Sequence, residues 1–486
     1  MLTGWSKAGV SISFFIFCSL FLLWSKSGTA GSLDVEILSA AAGGGAISTR
    51  IFYPAYDQRR YREGAPVVVI SPGGHNPGSI PPDDPDAASF GYISIYFLMP
   101  GGSAEGLESD GRYDYRGMNS QRALADVLLF AAGKKMDAQG KFLTDYIPFT
   151  LTNNVGVVGY SNGGNLAIAT LAHYGDELDN LQWLVTWESP IGDQTVTVEL
   201  SMRLGNRLNP YYQPGTSTVT GCPWPGLDAA LQFDATSTFF LEDPATETRF
   251  PLAGIFYLDT NGDGSFDQGD FSFSPLGGPG VMVAGTLKPK GYFSAELMEA
   301  ITSQAGRLFA TTPPPWLATL PETLNYWQDR DGSLLINTAH LKMPGLRVIS
   351  VSSVRDHVQS QPDHPHVRSN VAGWIDSGHG FIRHNPDAVY VTALCNCTDP
   401  LIPDNDAGTA VPYPGIDQTL EPEHAGGSSL DKFISQAAIL ELCDRTYATD
   451  SSANLDTVLV QPRKSILDIL FLPALLGGSH GKVSTP

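Results

Sequence analysis

Apolar runs and turn residues alternate along this chain with the spacing of buried strands and amphipathic helices. Residues 33–37 and 47–53 read as strands on either side of the turn Ala42-Gly43-Gly44-Gly45, and Pro54 ends the second. Residues 65–70 are continuously apolar, as in a strand covered on both faces. Residues 91–99 form another strand-like run. The spacing of Ala123, Val127, Leu128 and Ala131 predicts a helix over 119–134. A strand follows at 155–159, a helix begins near Asn162, and 181–187 is the next strand. After a long interruption, 346–353 returns to the strand pattern. A helix over 367–375, a short last strand over 381–386 and an amphipathic helix over 430–446 complete the chain. The alternation predicts an α/β fold with a mostly parallel, doubly wound sheet.

One stretch carries chemistry. Gly159-Tyr160-Ser161-Asn162-Gly163 lies between a strand signal and a helix signal. A serine hydroxyl is a weak nucleophile, so it has to be exposed on a sharp turn and given a base. Glycines two residues either side keep a Cβ from crowding that turn, and the following helix points free N–H groups at the site. One strand pair earlier, the apolar run at 65–70 leads into Ser71-Pro72-Gly73-Gly74-His75, a loop able to present bare backbone N–H groups. His75 precedes the nucleophile and is expected to be loop wall, not base.

The elbow, the Gly73-Gly74 loop and the order of elements around them resemble the α/β-hydrolase superfamily, within it the dienelactone-hydrolase and prolyl-oligopeptidase-like branches. The resemblance covers about residues 33–190 and 344–400. It implies a Ser–acid–His triad in that chain order, acyl transfer and no organic cofactor, with the N–H groups of Gly74 and Asn162 as the oxyanion hole. Asp356, just past the strand at 346–353, is the expected acid, with Glu188 as its rival. The base is expected among the later histidines. His357 is too near Asp356 to swing back onto Ser161. Gly378-His379-Gly380-Phe381 is similar to the His-x-Phe segment of dienelactone-hydrolase-like enzymes, so His379 is the first candidate. His384 and His366 are the alternatives, and His364 ranks below them.

Residues 191–343 interrupt the sheet pattern and are expected to form a large inserted cap, dividing the hydrolase core into 31–190 and 344–486. Inside the insertion, residues 259–270 match a twelve-residue calcium loop of the EF-hand and dockerin type. Asp259, Asn261, Asp263, the Ser265 carbonyl, Asp267 and Asp270 are the expected oxygen ligands, with Gly264 at the sharp turn. The last ligand is Asp instead of Glu, the flanks look strand-like, and there is one copy. A structural Ca2+ is therefore the expectation, not a signalling switch.

Composition narrows the setting. The chain has 486 residues and a formal charge of −21, which argues against nucleic acid or anionic lipid as partners. Residues 1–30 combine Lys7, an apolar stretch and the small residues Gly28-Thr29-Ala30, as in an export signal. Secretion or a cell-envelope location is expected, with no stable membrane span once the signal is removed; an uncleaved N-terminal anchor is the alternative. Cys222, Cys395, Cys397 and Cys443 then allow two disulfides by three pairings.

The sequence therefore predicts an exported serine esterase acting on small or lipid-like esters. A serine peptidase of prolyl-oligopeptidase-like type is the alternative enzyme. A non-catalytic, calcium-stabilised binding protein on a degenerate hydrolase fold is the alternative outside catalysis.

Overall fold

The computed structural model describes residues 30–74, 76–192, 201–202, 207–210, 227–243, 248–273, 276–277, 281–283, 286–288, 290–351, 365–395 and 429–450. Residues 1–29, expected from the sequence to be an export signal, and His75, Asp356, Cys222 and Cys397 lie outside these residues.

Eight strands form the central sheet. They are β1 (Gly31–Leu38), β2 (Ala46–Tyr53), β3 (Ala65–Ser71), β4 (Ile93–Phe97), β5 (Thr150–Tyr160), β6 (Leu181–Trp187) and, beyond the insertion, Arg347–Val351 and Ile382–His384. The insertion contributes β7 (Leu231–Asp243), β8 (Thr248–Leu258) and β9 (Phe271–Phe273), so the last two sheet strands are β10 and β11. The spatial order is β1-β2-β4-β3-β5-β6-β10-β11. β2 runs antiparallel to β1 and β4; β4, β3, β5, β6, β10 and β11 run parallel to one another. This order, with the second strand reversed, is the α/β-hydrolase fold.

Both faces of the sheet are covered, and the strands alternate between two cores. Val67, Val69, Val157, Leu184 and Val348 face one cluster; Val68, Ile70, Val158, Val185 and Ile349 face the other. The first cluster is closed by α1 (Met118–Ala131), α2 (Asn162–Tyr174), the later helix α5 (Gly332–Lys342) and α6 (Pro365–Asp376). The second is closed by α7 (Ala388–Cys395) and α8 (Ser429–Asp450). Two-sided burial explains why the inner strands read as unbroken apolar runs.

α8 is anchored by charge as well as by apolar contact. Arg60 forks onto Asp444 at 2.7 and 2.5 Å, and the Tyr61 and Tyr390 hydroxyls donate to the same carboxylate at 2.6 and 3.1 Å. Arg383 reaches Glu441 at 2.8 Å. All four charged groups are buried. Beside them Cys443 is a buried free thiol, its pKa pushed up by burial. The expectation of two disulfides therefore does not hold for this residue. Helical geometry carries its side chain into the apolar interface with the sheet.

Between β6 and β10 the insertion builds a core of its own. β7 pairs with β8 and β8 with β9, all antiparallel. Phe256, Phe271, Phe273, Phe293 and Phe309 pack with α3 (Ala295–Ser303). α4 (Leu320–Trp327) follows, and α5 then returns to the sheet against α2. Asn165 on α2 ties both ends of the insertion to the helix after the elbow. Its amide nitrogen donates to the carbonyls of Pro190 and Gly192, each at 2.9 Å, and its oxygen accepts from the Gly332 N–H at 2.7 Å. Among the described residues no helix is long and apolar enough to cross a membrane.

Candidate active site

Ser161 sits where β5 ends and α2 begins, with φ 49° and ψ −123°. That is left-handed space for a residue with a Cβ, and it costs of order 1–3 kcal/mol. The surroundings leave no relaxed alternative. A Cβ on Gly159 would collide with the Gly164 backbone, and one on Gly163 with the Ser71 carbonyl. The Ser161 N–H donates to the Trp187 carbonyl at 2.8 Å, and its own carbonyl accepts from the Gly164 N–H at 2.9 Å. The turn is therefore held from β6 on one side and from α2 on the other.

The Gly73-Gly74 loop lies directly beside it. A methyl on Gly73 would stand 3.1 Å from the Ser161 Cβ. Gly74 has φ +73°, and its carbonyl accepts from the Asn162 side-chain amide at 2.9 Å. Asn162 is the first residue of α2, a position where the backbone N–H has no acceptor inside the helix. The two predicted oxyanion groups thus sit on adjoining pieces of chain at the nucleophile. Arg116 completes the arrangement: its guanidinium donates to the carbonyls of Pro72 (2.9 Å), Gly73 (2.9 Å) and Gly74 (2.7 Å). Sequence reasoning passed over Arg116 as part of the approach to α1, because nothing local tells which loop a buried arginine meets.

Glu188 follows β6 at φ 42°, is buried, and donates its N–H to the Val351 carbonyl at 2.8 Å. It shares the sheet edge with Ser161, since Tyr160, Trp187 and Val351 are level in register.

The structure does not bring His379 to this edge. Its Nε2 lies 2.6 Å from the Leu346 carbonyl and its Nδ1 2.9 Å from the His340 Nδ1, with Trp374 packed against the ring. Leu346 precedes β10, and Val351 ends it beside the elbow. Five residues of strand separate those ends, about 16 Å. His379 therefore belongs to the floor of the sheet, and burial pushes its pKa down. The glycine-flanked motif is the end of a crossover, where α6 turns back toward β11.

His384 ends β11, buried and level with Ser350 and Thr186. Three strand spacings, about 14 Å, separate β11 from β5. His366 lies in the first turn of α6, which starts from the edge where β10 ends. Four residues on, the Asn370 amide donates to the hydroxyls of Thr186 (2.8 Å) and Ser350 (3.0 Å). Thr186 is level with Gly159. One helical turn before Asn370 and two strand residues past Gly159 are each a step of about 6 Å toward the same edge. His366 thus lies on the part of α6 that faces the edge carrying Ser161. Asp356, His357 and His364 lie outside the described residues.

The 259–270 loop is closed by its own acceptors. Asp259 takes the N–H groups of Gly262 (2.7 Å) and Gly264 (2.8 Å); Asp270 takes those of Thr260 (2.9 Å) and Asp267 (3.0 Å). The Asn261 amide nitrogen donates to Asp263 (3.1 Å) and Asp267 (3.3 Å), so these two carboxylates converge on one point. The donors are hard oxygens of the kind calcium takes. Among the described residues, however, no three acidic, histidine or cysteine side chains close into a cage.

No protein-family model matches the chain, and no curated protein matches it. Among solved structures it is similar to prolyl oligopeptidase B from Galerina marginata at 10% identity, over 86% of this chain and 37% of that one, with a TM-score of 0.39. It is similar to a bacterial heroin esterase at 10% identity over 90% of both chains, TM-score 0.36. It is also similar to brefeldin A esterase, a bacterial homologue of human hormone sensitive lipase, at 12% identity over 74% of this chain and 69% of that one, TM-score 0.33. The chain thus spans little more than a third of the oligopeptidase's length. Likenesses this loose do not speak for activity or substrate. The class rests on strand order and connection alone: this is a chain of α/β-hydrolase fold with an insertion between its sixth and seventh sheet strands.

Proposed function

We propose that the protein is an exported serine hydrolase that cleaves carboxylic esters through an acyl-enzyme. The observation that carries this reading is the backbone of Ser161, held in left-handed space at a strand–helix turn and touching the Gly73-Gly74 loop. Such strain persists only where the surroundings enforce it, and here it serves to expose a hydroxyl.

In this reading Ser161 attacks the ester carbonyl, and the oxyanion is received by the N–H groups of Gly74 and Asn162. His366 takes the serine proton and returns it to the leaving alcohol. Its support is its level on α6, one turn from Asn370. Asp356 or Glu188 orients the imidazole; Glu188 is supported by its burial at the same edge. Water then resolves the acyl-enzyme. The 259–270 loop is read as a structural calcium site outside the chemistry, in which a cation would replace the Asn261 amide as the point where Asp263 and Asp267 meet.

The test is fluorophosphonate labelling of the purified chain beside Ser161→Ala and His366→Gln. Labelling of the wild type alone is expected, followed by turnover of p-nitrophenyl esters. Wild-type protein that is folded and does not label overturns the reading. Labelling with turnover of peptide amides and not of esters would make the protein a peptidase.

A further inference from the structure

The site contains a buried cation that the reaction scheme above leaves unused. Arg116 is buried, in the stretch Asp114-Tyr115-Arg116-Gly117 that leads into α1. Tyr115 and Arg116 both have positive φ, 54° and 65°. Two successive non-glycine residues in that region cost about 1–2 kcal/mol each, so the surrounding contacts enforce the shape. Those contacts come from the end of the insertion. Arg330 donates to the Tyr115 carbonyl (3.1 Å) and the Asp114 carbonyl (2.9 Å), and Gln121 bridges the carbonyls of Arg116 (3.1 Å) and Asp329 (2.6 Å).

The arginine so placed meets three consecutive carbonyls, those of Pro72, Gly73 and Gly74. In a trans peptide the C=O and the next N–H point in opposite directions. Carbonyls gathered on one side of the loop therefore present the N–H groups of Gly73 and Gly74 on the other. Successive N–H groups arranged in this way form a concavity that binds anions. The Gly73 carbonyl and the Gly74 N–H belong to one peptide unit, so a cation on the oxygen also makes the N–H a stronger donor. Burial pushes the Arg116 pKa down, and among the described residues the groups that act most on it besides burial are the phenols of Tyr113 and Tyr326, not a carboxylate.

We propose that Arg116 is a positioning residue for the oxyanion hole: it sets the side of the hole formed by Pro72, Gly73 and Gly74, and strengthens the N–H donor there toward the charge that develops on the substrate. The proposal rests on the hydrolase reading for its catalytic half and on geometry alone for its structural half. It also gives the insertion a task, because Arg330 and Asp329 hold the segment that carries the arginine.

The experiment pairs Arg116→Met and Arg116→Lys with the wild type. For Arg116→Met, kcat on a p-nitrophenyl ester is expected to fall about 10²-fold, the scale of losing one oxyanion donor, with KM nearly unchanged. Arg116→Lys keeps the charge, cannot span three carbonyls, and should fall between. Millimolar methylguanidinium should restore part of kcat to Arg116→Gly. A merely structural arginine would lower stability without that split and without rescue. Hydrogen exchange of the peptide spanning residues 71–78 is the second readout, and it needs no catalysis. It should quicken at least tenfold in Arg116→Met and less in Arg116→Lys. If the wild type fails to label at Ser161, the hydrolase reading falls, and exchange alone still decides whether Arg116 holds the loop. Unchanged exchange in a folded Arg116→Met overturns the proposal, as does a kcat within twofold of wild type in a labelling enzyme.

Discussion

The backbone N–H of Ser161 donates to the carbonyl of Trp187 at 2.8 Å. The candidate nucleophile is thereby fixed to the strand whose next residue is the buried Glu188. Its strained φ is a property of the sheet edge as much as of the Gly-x-Ser-x-Gly motif.

Replacing Ser161 by glycine should remove the strain along with the hydroxyl. Ser161→Gly is expected to be more stable than the wild type by about 1 kcal/mol, read by urea denaturation, while labelling and turnover vanish. Ser161→Ala keeps a Cβ in the same region and should gain less. Equal stability of the two variants would contradict the strain argument.

His379 predicts a pH dependence and a control. Burial lowers its pKa below the usual histidine value of about 6.5. A depressed histidine pKa means that the unfolded chain binds the proton more readily. This contribution to stability is whole above pH 6.5 and is lost as pH falls through the folded-state value. His379→Gln should flatten that part of a Tm-versus-pH curve and leave kcat at neutral pH within a few-fold of wild type. His366→Gln should do the reverse.

Asp331 caps α5, its carboxylate accepting from the Ser333 N–H (2.8 Å) and hydroxyl (2.6 Å). Burial pushes its pKa up to about 6. A raised carboxylate pKa has the opposite sign: its stability is whole below the ordinary value, near 4, and is lost as pH rises through about 6. Asp331→Asn keeps the capping acceptor without the charge. It should raise Tm at about pH 8 and leave it nearly unchanged at about pH 4.

Asp444→Asn would leave Arg60 buried without its counter-charge. A loss of about 3–5 kcal/mol in denaturant midpoint experiments is expected, with α8 released from the sheet. A cost below about 1 kcal/mol would show that water reaches Arg60 once the carboxylate is gone.

Calcium should raise the melting temperature of the insertion if the 259–270 loop closes around it. Asp263→Asn and Asp267→Asn should each weaken that rise, because their carboxylates already converge on the Asn261 amide. No calorimetric response to millimolar calcium would mean that the loop is closed by its own backbone N–H groups alone.

The sequence by itself determined what is local. Continuous apolar runs such as 65–70 mark inner strands because both faces of this sheet are covered, and the elbow is legible because its glycines lie within two residues of Ser161. The strand-like flanks of the 259–270 loop are legible in the same way, and they are β8 and β9. The tertiary structure decided what depends on which end of the sheet a loop returns to. His379 and His366 are thirteen residues apart in one crossover, yet one lies at the floor of the sheet and the other at the edge that carries Ser161, because α6 runs the length of the strands between them. Cys443 stays a free thiol for a related reason: a helix face, not a cysteine count, decides what its sulfur meets. Arg116 was invisible for the same cause. A buried arginine announces its partners only when the fold brings three carbonyls from a loop more than forty residues away to its guanidinium.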